Sequence, residues 1–379
     1  MGTPPPMDSP LEAAAHPDPY PYYACLVAGH PLYYDEGLRM WVASDAASVD
    51  AILGHPACRV RPRSEPVPPG IVGTPAGDVY GQLVRMTDGP VQRRRTLLIA
   101  GALARLDAWA VRTVVAGQAR RVLAAGSGGA AVELMFAVPV RAVAALCGLN
   151  AREADRAADL ITEFVTCIPA SATRAQQSAA APAAGELRRL VSAAAAREDG
   201  LIAPLLGTAD RRDRDAMLAN GIGLLSQTYE ATAGLIGNTL VALGRREGGH
   251  PTGVRAMEAF VAEVARHDAP IQNTRRVVAT PMRLGAHELA GGQPVLVVLA
   301  AANRDPAVND EPGEFRPDRP APKVFTFGSG AHRCPGRTLA VTIAAAVVGA
   351  LLASGHDDPA GVVGPVRYLP LANARIPVL

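Results

Sequence analysis

The run Phe327-Gly328-Ser329-Gly330-Ala331-His332-Arg333-Cys334-Pro335-Gly336-Arg337 constrains this chain more than any other feature. Two glycines before the cysteine let the backbone turn sharply and let a flat ligand approach with no Cβ atoms in the way. From about Gly336 to Ser354 the sequence becomes apolar and alanine-rich, with Leu339, Ile343, Val347 and Leu351 at helical spacing, so a buried helix follows. Cys334 therefore stands just before a helix start. Unpaired N–H groups and the positive end of the macrodipole favour a thiolate over a thiol there. Gly336 also leaves room for backbone amides to donate toward the sulfur. A lone cysteine framed in this way reads as a sulfur presented to a metal, the alternative being a structural cysteine buried in a glycine-rich loop.

Composition excludes several classes of function. The 37 Lys and Arg nearly balance the 35 Asp and Glu, so there is no global basic field to recruit nucleic acid or an anionic membrane. Cys25, Cys58, Cys147, Cys167 and Cys334 are odd in number, scattered and without zinc-type spacing, which points to the reducing cytoplasm. The N-terminus, with Pro4, Pro5, Pro6, Asp8 and Glu12, lacks a basic flank followed by an apolar core, so neither a signal peptide nor a membrane anchor is expected. The apolar run after Cys334 approaches membrane length, yet it carries Thr338 and Thr342 and begins at the candidate ligand, so it reads as a core helix. A chain of 379 residues suggests two or three domains on average statistics, which single-core folds of unusual size break.

Leu32–Tyr34 and Met40–Val42 flank the turn signal Asp35-Glu36-Gly37 and predict a hairpin, with a short helix over Asp45–Leu53 behind it. Proline and glycine from Arg59 to Gly81 predict a long irregular loop. Helical periodicity runs from about Val91 to Gly244, with breaks expected near Gly126–Gly129 and across Pro169–Gly185. Within it, Asp213–Leu243 reads as one helix, which at 1.5 Å per residue spans roughly 45 Å. A helix is also expected from Gly253 to His267, a β run over Pro294–Leu299, and irregular connections at Asn303–Pro306 and Pro312–Pro320. There is no internal repeat and no flavin, nicotinamide or iron–sulfur module.

Phe327-x-x-Gly330-x-x-x-Cys334-x-Gly336 resembles the haem-ligand signature of the cytochrome P450 superfamily, in its soluble bacterial form, and further motifs extend the resemblance over nearly the whole chain. It implies a fold that is mainly α with a smaller β region (α+β), a long central helix over haem and the cysteine loop beneath. Residues 1–379 would form a single domain, with 1–18 a flexible N-terminal segment. The implied cofactor is haem b, its iron held by Cys334 in a loop shaped by Phe327, Gly330 and Gly336. His332 and Arg276 match propionate partners, Arg275 being the alternative by a one-residue slip. Gln92, in Gln92-Arg93-Arg94-Arg95-Thr96, stands where most bacterial members have histidine; it donates a hydrogen bond but adds no charge, and a neighbouring arginine would compensate. The region Arg59–Gly81 covers the substrate pocket in the family.

Glu263 and Arg266 share one helix face and resemble the family's Glu-x-x-Arg pair, with Arg319 matching a third, scaffold arginine. The oxygen-activation segment aligns with Gln227-Thr228-Tyr229-Glu230-Ala231-Thr232-Ala233. Glu230 holds the acid position. Ala231 replaces the threonine whose hydroxyl ordinarily orders the proton-delivering water, and Thr228 replaces the glycine. Three repairs are open: Thr232 or Thr228 turning inward, a substrate hydroxyl holding the water, or a reaction that needs less help. A threonine that only back-bonds to its own helix is the ordinary alternative.

The resemblance implies a monooxygenase that uses O2 to hydroxylate or epoxidise a small organic substrate, because a thiolate ligand favours dioxygen activation over carriage. Electrons would reach it indirectly from NAD(P)H through a separate ferredoxin and ferredoxin reductase. Tailoring of a secondary metabolite, with a carrier protein as a further partner, is the expected setting; neither nucleic acid nor membrane is an expected partner. The rival readings are oxidation without oxygen insertion, as in phenol coupling or desaturation, and a non-catalytic haem-binding module.

Overall fold

The computed structural model describes residues 7, 9–126, 129–197, 200–246, 249–355 and 366–379. Its first elements are Tyr20–Gly29 (α1), Leu32–Asp35 (β1), Met40–Ala43 (β2), Ala46–Gly54 (α2) and Cys58–Arg59 (β3), followed by Pro75–Gln82 (α3), Gly89–Leu103 (α4) and Ala108–Ala125 (α5). Ala130–Val132 (α6) passes through a π turn at Glu133–Ala137 into Val138–Leu146 (α7), and Ala151–Val165 (α8), Arg174–Ala195 (α9), Ile202–Gly207 (α10) and Arg214–Gly244 (α11) complete the helical run. Val254–His267 (α12) leads to Thr274–Val278 (β4), Met282–Leu284 (β5), His287–Leu289 (β6), Pro294–Val297 (β7), Leu299–Asn303 (α13) and Arg337–Ala353 (α14). The fold is mainly helical with a small β region, as expected.

The chain divides into two compact units. The first holds residues 1–59, 231–337 and 344–379, and the second residues 60–230 and 338–343, with α11 contributing to both.

In the first unit the predicted hairpin forms, with Tyr34 opposite Trp41 and the Asp35 carboxylate accepting from Leu38 N at 2.9 Å. Its sheet runs β1-β2-β7-β4-β3. Val42, Ala43, Val295, Leu296 and Val297 are buried within it, as expected for strands covered on both faces. Asp45 caps α2 by accepting from Ser48 N at 3.1 Å, the side-chain oxygen standing in for the missing turn. Inside the segment expected to be flexible, the carbonyls of Ala14, His16 and Pro17 all accept hydrogen bonds from the buried Arg375.

The second unit is helical, with α8 packed on both α7 and α9. Two expectations need correction here. The stretch Arg59–Gly81 is not irregular throughout, because α3 starts at Pro75: Thr74 Oγ1 accepts from Gly77 N at 3.2 Å, and proline at the first turn sacrifices no helical donor. At Gly77 a Cβ would stand 2.1 Å from the Ile71 carbonyl oxygen, so only glycine permits that approach. The break expected across Pro169–Gly185 is confined to its first residues, between the end of α8 at Val165 and the start of α9 at Arg174. Helix α9 already begins at Arg174, where Thr173 and Gln176 bond each other's backbone N–H groups reciprocally, and it continues through Pro182. The alanine around that proline carries helix propensity enough to outweigh one missing hydrogen bond. The π turn has a local cause as well: Pro139 supplies no N–H at the start of α7.

Candidate functional site

In the first unit, Cys334 lies between a 3-10 turn at Gly330–His332 and α14. Its N–H donates to Phe327 O at 2.8 Å, closing the loop, while Gly328 and Gly330 take φ of 69° and 63°, where side chains are disfavoured. Ser329 is tied to Asp50 of α2, and the Arg337 guanidinium covers the Phe327 ring at 5.4 Å. A Cβ on Gly330 would meet the Leu53 carbonyl oxygen at 3.0 Å, and one on Gly336 would come within 3.8 Å of the sulfur.

The five cysteines fall into distinct environments. Cys58, Cys147 and Cys167 are buried, and desolvation pushes their thiols up to about 11, about 12 and about 11, which makes them inert packing groups. Cys334 is exposed as a residue, yet the packing around its sulfur still raises its pKa, against an opposing hydrogen bond from the Gly336 backbone. The expectation that the helix start by itself favours a thiolate is therefore corrected: desolvation outweighs the backbone. A thiolate here calls for a positive charge at the sulfur, which a bound iron supplies. One sulfur donor fits an iron whose remaining ligands come from a macrocycle, and among the described residues no group of three His, Cys, Asp or Glu is arranged to hold a metal ion.

Beside the loop, α12 carries the ionic scaffold. Glu263 and Arg266 are buried and joined by two hydrogen bonds of 2.6 and 2.9 Å. Arg266 also donates to the carbonyls of Asn303, Pro312 and Glu314, and Arg319 to those of Asp310, Glu311 and Glu314. Arg319 Nε is 3.7 Å from Glu263 Oε1, and Arg316 N donates to the same oxygen at 2.9 Å. Every carbonyl in this set belongs to irregular backbone or a helix end with no ladder of its own, so the guanidiniums serve as its donors.

Strand alternation separates the two arginines of β4: Arg276 is buried and Arg275 exposed. His332 is half-buried. In the second unit Gln92 is buried on α4, its Nε2 donating to Thr96 Oγ1 at 3.0 Å. Two of the neighbours expected to compensate for its missing charge, Arg94 and Arg95, have a carboxylate partner of their own. Both bind Asp213 at 2.7 and 2.8 Å and hold its carboxyl below the usual range, leaving Arg93 exposed.

Helix α11 is continuous through the oxygen-activation segment. Thr228 donates to Leu224 O at 2.7 Å, so its one donor is spent on its own helix and the Thr228 repair takes its ordinary form, and Gln227 Nε2 donates to Gly223 O at 2.9 Å. Tyr229 packs on the Phe136 ring with centroids 4.9 Å apart. Thr232 is buried and makes no back-bond of that kind among the described residues. Glu230 is partly buried, and desolvation raises its carboxyl pKa against the opposing charge of Arg85. Arg85 escaped the sequence reading. Its one signal is a charge inside the apolar run Leu83-Val84-Arg85-Met86.

The family model for cytochrome P450 matches residues 254–354, the stretch with α12, the glycine-built loop and Cys334. Cytochrome P450 monooxygenase PikC of Streptomyces venezuelae is 29% identical over 357 residues, covering 88% of this chain and 83% of that protein. The chain belongs to the cytochrome P450 family. This P450 is accordingly a haem-thiolate monooxygenase that uses O2. Its fold is shared with the crystal structure of CalO2, at a TM-score of 0.80 and 24% identity over 95% of this chain and 94% of that one. It is shared too with P450BioI in complex with a hexadec-9Z-enoic acid ligated acyl carrier protein, at 0.79 and 22% over 95% and 96%.

Proposed function

We propose that this P450, as one domain over residues 1–379, inserts an oxygen atom into a small organic substrate by hydroxylation or epoxidation, as a tailoring step of secondary metabolism. The observation that carries the reading is Cys334: one cysteine held in a glycine-built loop, tied at Phe327 and set against α14. Similarity to PikC over most of both chains supports it. Haem b, held by Cys334 as the iron ligand, supplies the oxidising centre for O2. His332, Arg276 and Gln92 would hold its propionates, which need cationic or hydrogen-bonding partners once buried. Phe327, Gly330 and Gly336 keep the loop closed and free of side chains where the macrocycle would lie.

Proton delivery falls to α11. Glu230, its pKa raised by desolvation, keeps a proton more readily than a free carboxylate does, and Thr232 has a hydroxyl not committed to its own helix. Thr228 and Ala231 shape the same segment without adding a free donor. Electrons come from NAD(P)H through a ferredoxin and a ferredoxin reductase. The P450BioI complex supports a carrier protein as a further partner, one that presents the substrate. The cytoplasm suits five cysteines without a disulfide, and among the described residues no helix is long and apolar enough to cross a membrane. Neither nucleic acid nor a membrane is proposed as a partner, given the net charge of +2.

Turnover under isotopically labelled dioxygen tests the reading, because insertion leaves label in the product. Ala231 favours a second reading, oxidation without insertion, for which the product would be oxidised and unlabelled.

A further inference from the structure

Arg85 is a charge employed neither by the proposed haem partners nor by the ionic scaffold. It sits in the 3-10 turn Val84–Met86 between α3 and α4, and that turn is fastened to α11. Asn220 Oδ1 accepts from Val84 N at 2.9 Å while Asn220 Nδ2 donates to Gln82 O at 2.9 Å. A Cβ on Gly223 would stand 2.8 Å from Leu83 Cδ2, so helix and turn are in close contact. Asn220, Gly223, Gln227 and Glu230 recur at intervals of three and four, which places the mount and the acid on one face of the helix.

The guanidinium itself is unanswered. Its Nε is buried with no hydrogen-bond partner, and among the described residues Arg85 makes no hydrogen bond or ion pair. It lies 5.9 Å from the centroid of the Tyr80 ring, which Arg61 also approaches at 5.4 Å. Arg61 is already satisfied. It donates to Glu65 Oε1 at 2.9 Å, to Glu65 O at 2.8 Å and to the Tyr80 hydroxyl at 3.0 Å. The Tyr80 oxygen thus accepts from Arg61 and keeps its own proton to donate. Glu230 is the carboxyl that acts on Arg85, without an ion pair between them, and desolvation disfavours the charged form of both. A half-buried guanidinium whose inner Nε–H is desolvated and unmade is costly, and a planar carboxylate relieves that cost better than other groups because it takes two parallel N–H bonds.

We infer that Arg85 recognises a carboxylate on the substrate, with the Tyr80 hydroxyl as the second donor. This rests on the proposed function and on the family resemblance, by which the segment carrying Tyr80 would cover the substrate. It makes Arg85 a specificity-determining residue and the substrate an organic acid.

The test is an optical titration of the ferric holoprotein with matched acids and amides: octanoic, dodecanoic, 3-phenylpropanoic and naphthalene-2-carboxylic acid, each against its own amide. The wild type is expected to bind at least one acid about tenfold more tightly than its amide, in keeping with one charge-assisted contact. Arg85→Gln should abolish the preference, Arg85→Lys should keep part of it, and Tyr80→Phe should weaken acids while leaving amides alone. Absence of acid preference in all four pairs, or its survival in Arg85→Gln, overturns the inference. Should Arg85→Gln fail to take up haem, the Lys and Phe variants decide, and an unchanged preference in both overturns it. The reduced carbonyl spectrum of the wild type separates the two levels. A thiolate-type Soret band without acid preference removes the carboxylate alone, whereas no such band removes the proposed function with it.

Discussion

The N–H of Cys334 and the carbonyl of Phe327 meet at 2.8 Å, so the two ends of the loop are joined by backbone alone. Side chains between them serve other ends, as Ser329 does at Asp50, and the sulfur stands where the chain enters α14. Replacing Cys334 by serine keeps that bond and removes the soft donor. The reduced carbonyl complex of Cys334→Ser is expected to lack the thiolate-type Soret band while the far-ultraviolet circular dichroism stays that of the wild type; an unaltered Soret band would assign the iron to another ligand.

Glu263 is the hub of the scaffold beside that loop. Glu263→Gln leaves the Arg266 charge buried against a neutral amide that keeps only one of the two acceptor oxygens, a change expected to cost about 3–5 kcal/mol. Urea denaturation should register it as a lower midpoint with an unchanged slope, and haem uptake should weaken because the carbonyls of Pro312 and Glu314 lose their anchored donor.

Asp213 gives the acid limb of the stability profile a definite sign. Hydrogen bonds from Arg94, then Arg95, hold its folded pKa below the unfolded value, so its contribution is full above the ordinary carboxylate range and is lost as pH falls through the folded pKa. Asp213→Asn should be less stable than wild type at pH 7 and should lose less stability on acidification. Parallel curves from pH 7 to pH 3 would remove Asp213 from the account.

The proton delivery proposed for Glu230 and Thr232 is separable from substrate binding by mutation. Glu230→Gln is expected to slow product formation by about 100-fold with little change in the optical binding constant. Thr232→Val should slow it less, and Ala231→Thr should raise the fraction of reducing equivalents recovered in product. Stopped-flow turnover with a bound substrate measures all three, and an active Glu230→Gln enzyme would place the proton source elsewhere.

Gly77 tests the packing of the segment assigned to cover the substrate. Its missing Cβ would lie 2.1 Å from the Ile71 carbonyl, a backbone atom with little room to yield. Gly77→Ala should cost about 1–3 kcal/mol, read as a lower melting temperature. A variant as stable as the wild type would mean that the turn adjusts.

Much of this was legible in the sequence because it was encoded locally. The glycines around Cys334, the turn at Asp35-Glu36-Gly37 and the 3.6-residue period of α11 and α12 each depend on residues a few positions apart. Local signals also misled: proline and glycine suggested a loop through Gly81 and a break through Gly185, where the caps at Thr74 and Thr173 decided otherwise. Partners remote in sequence were beyond such reading. Asp213 takes Arg94 and Arg95 from α4, Asn220 fastens Val84 beside Arg85, and Glu263 meets Arg319 across 56 positions of chain. Side-chain type and spacing thus determined which chemistry this P450 carries, while the tertiary structure decided which charges are answered and which, at Arg85, are left for a ligand. Charge pairing is a matter of distance in space, and sequence separation carries no record of it.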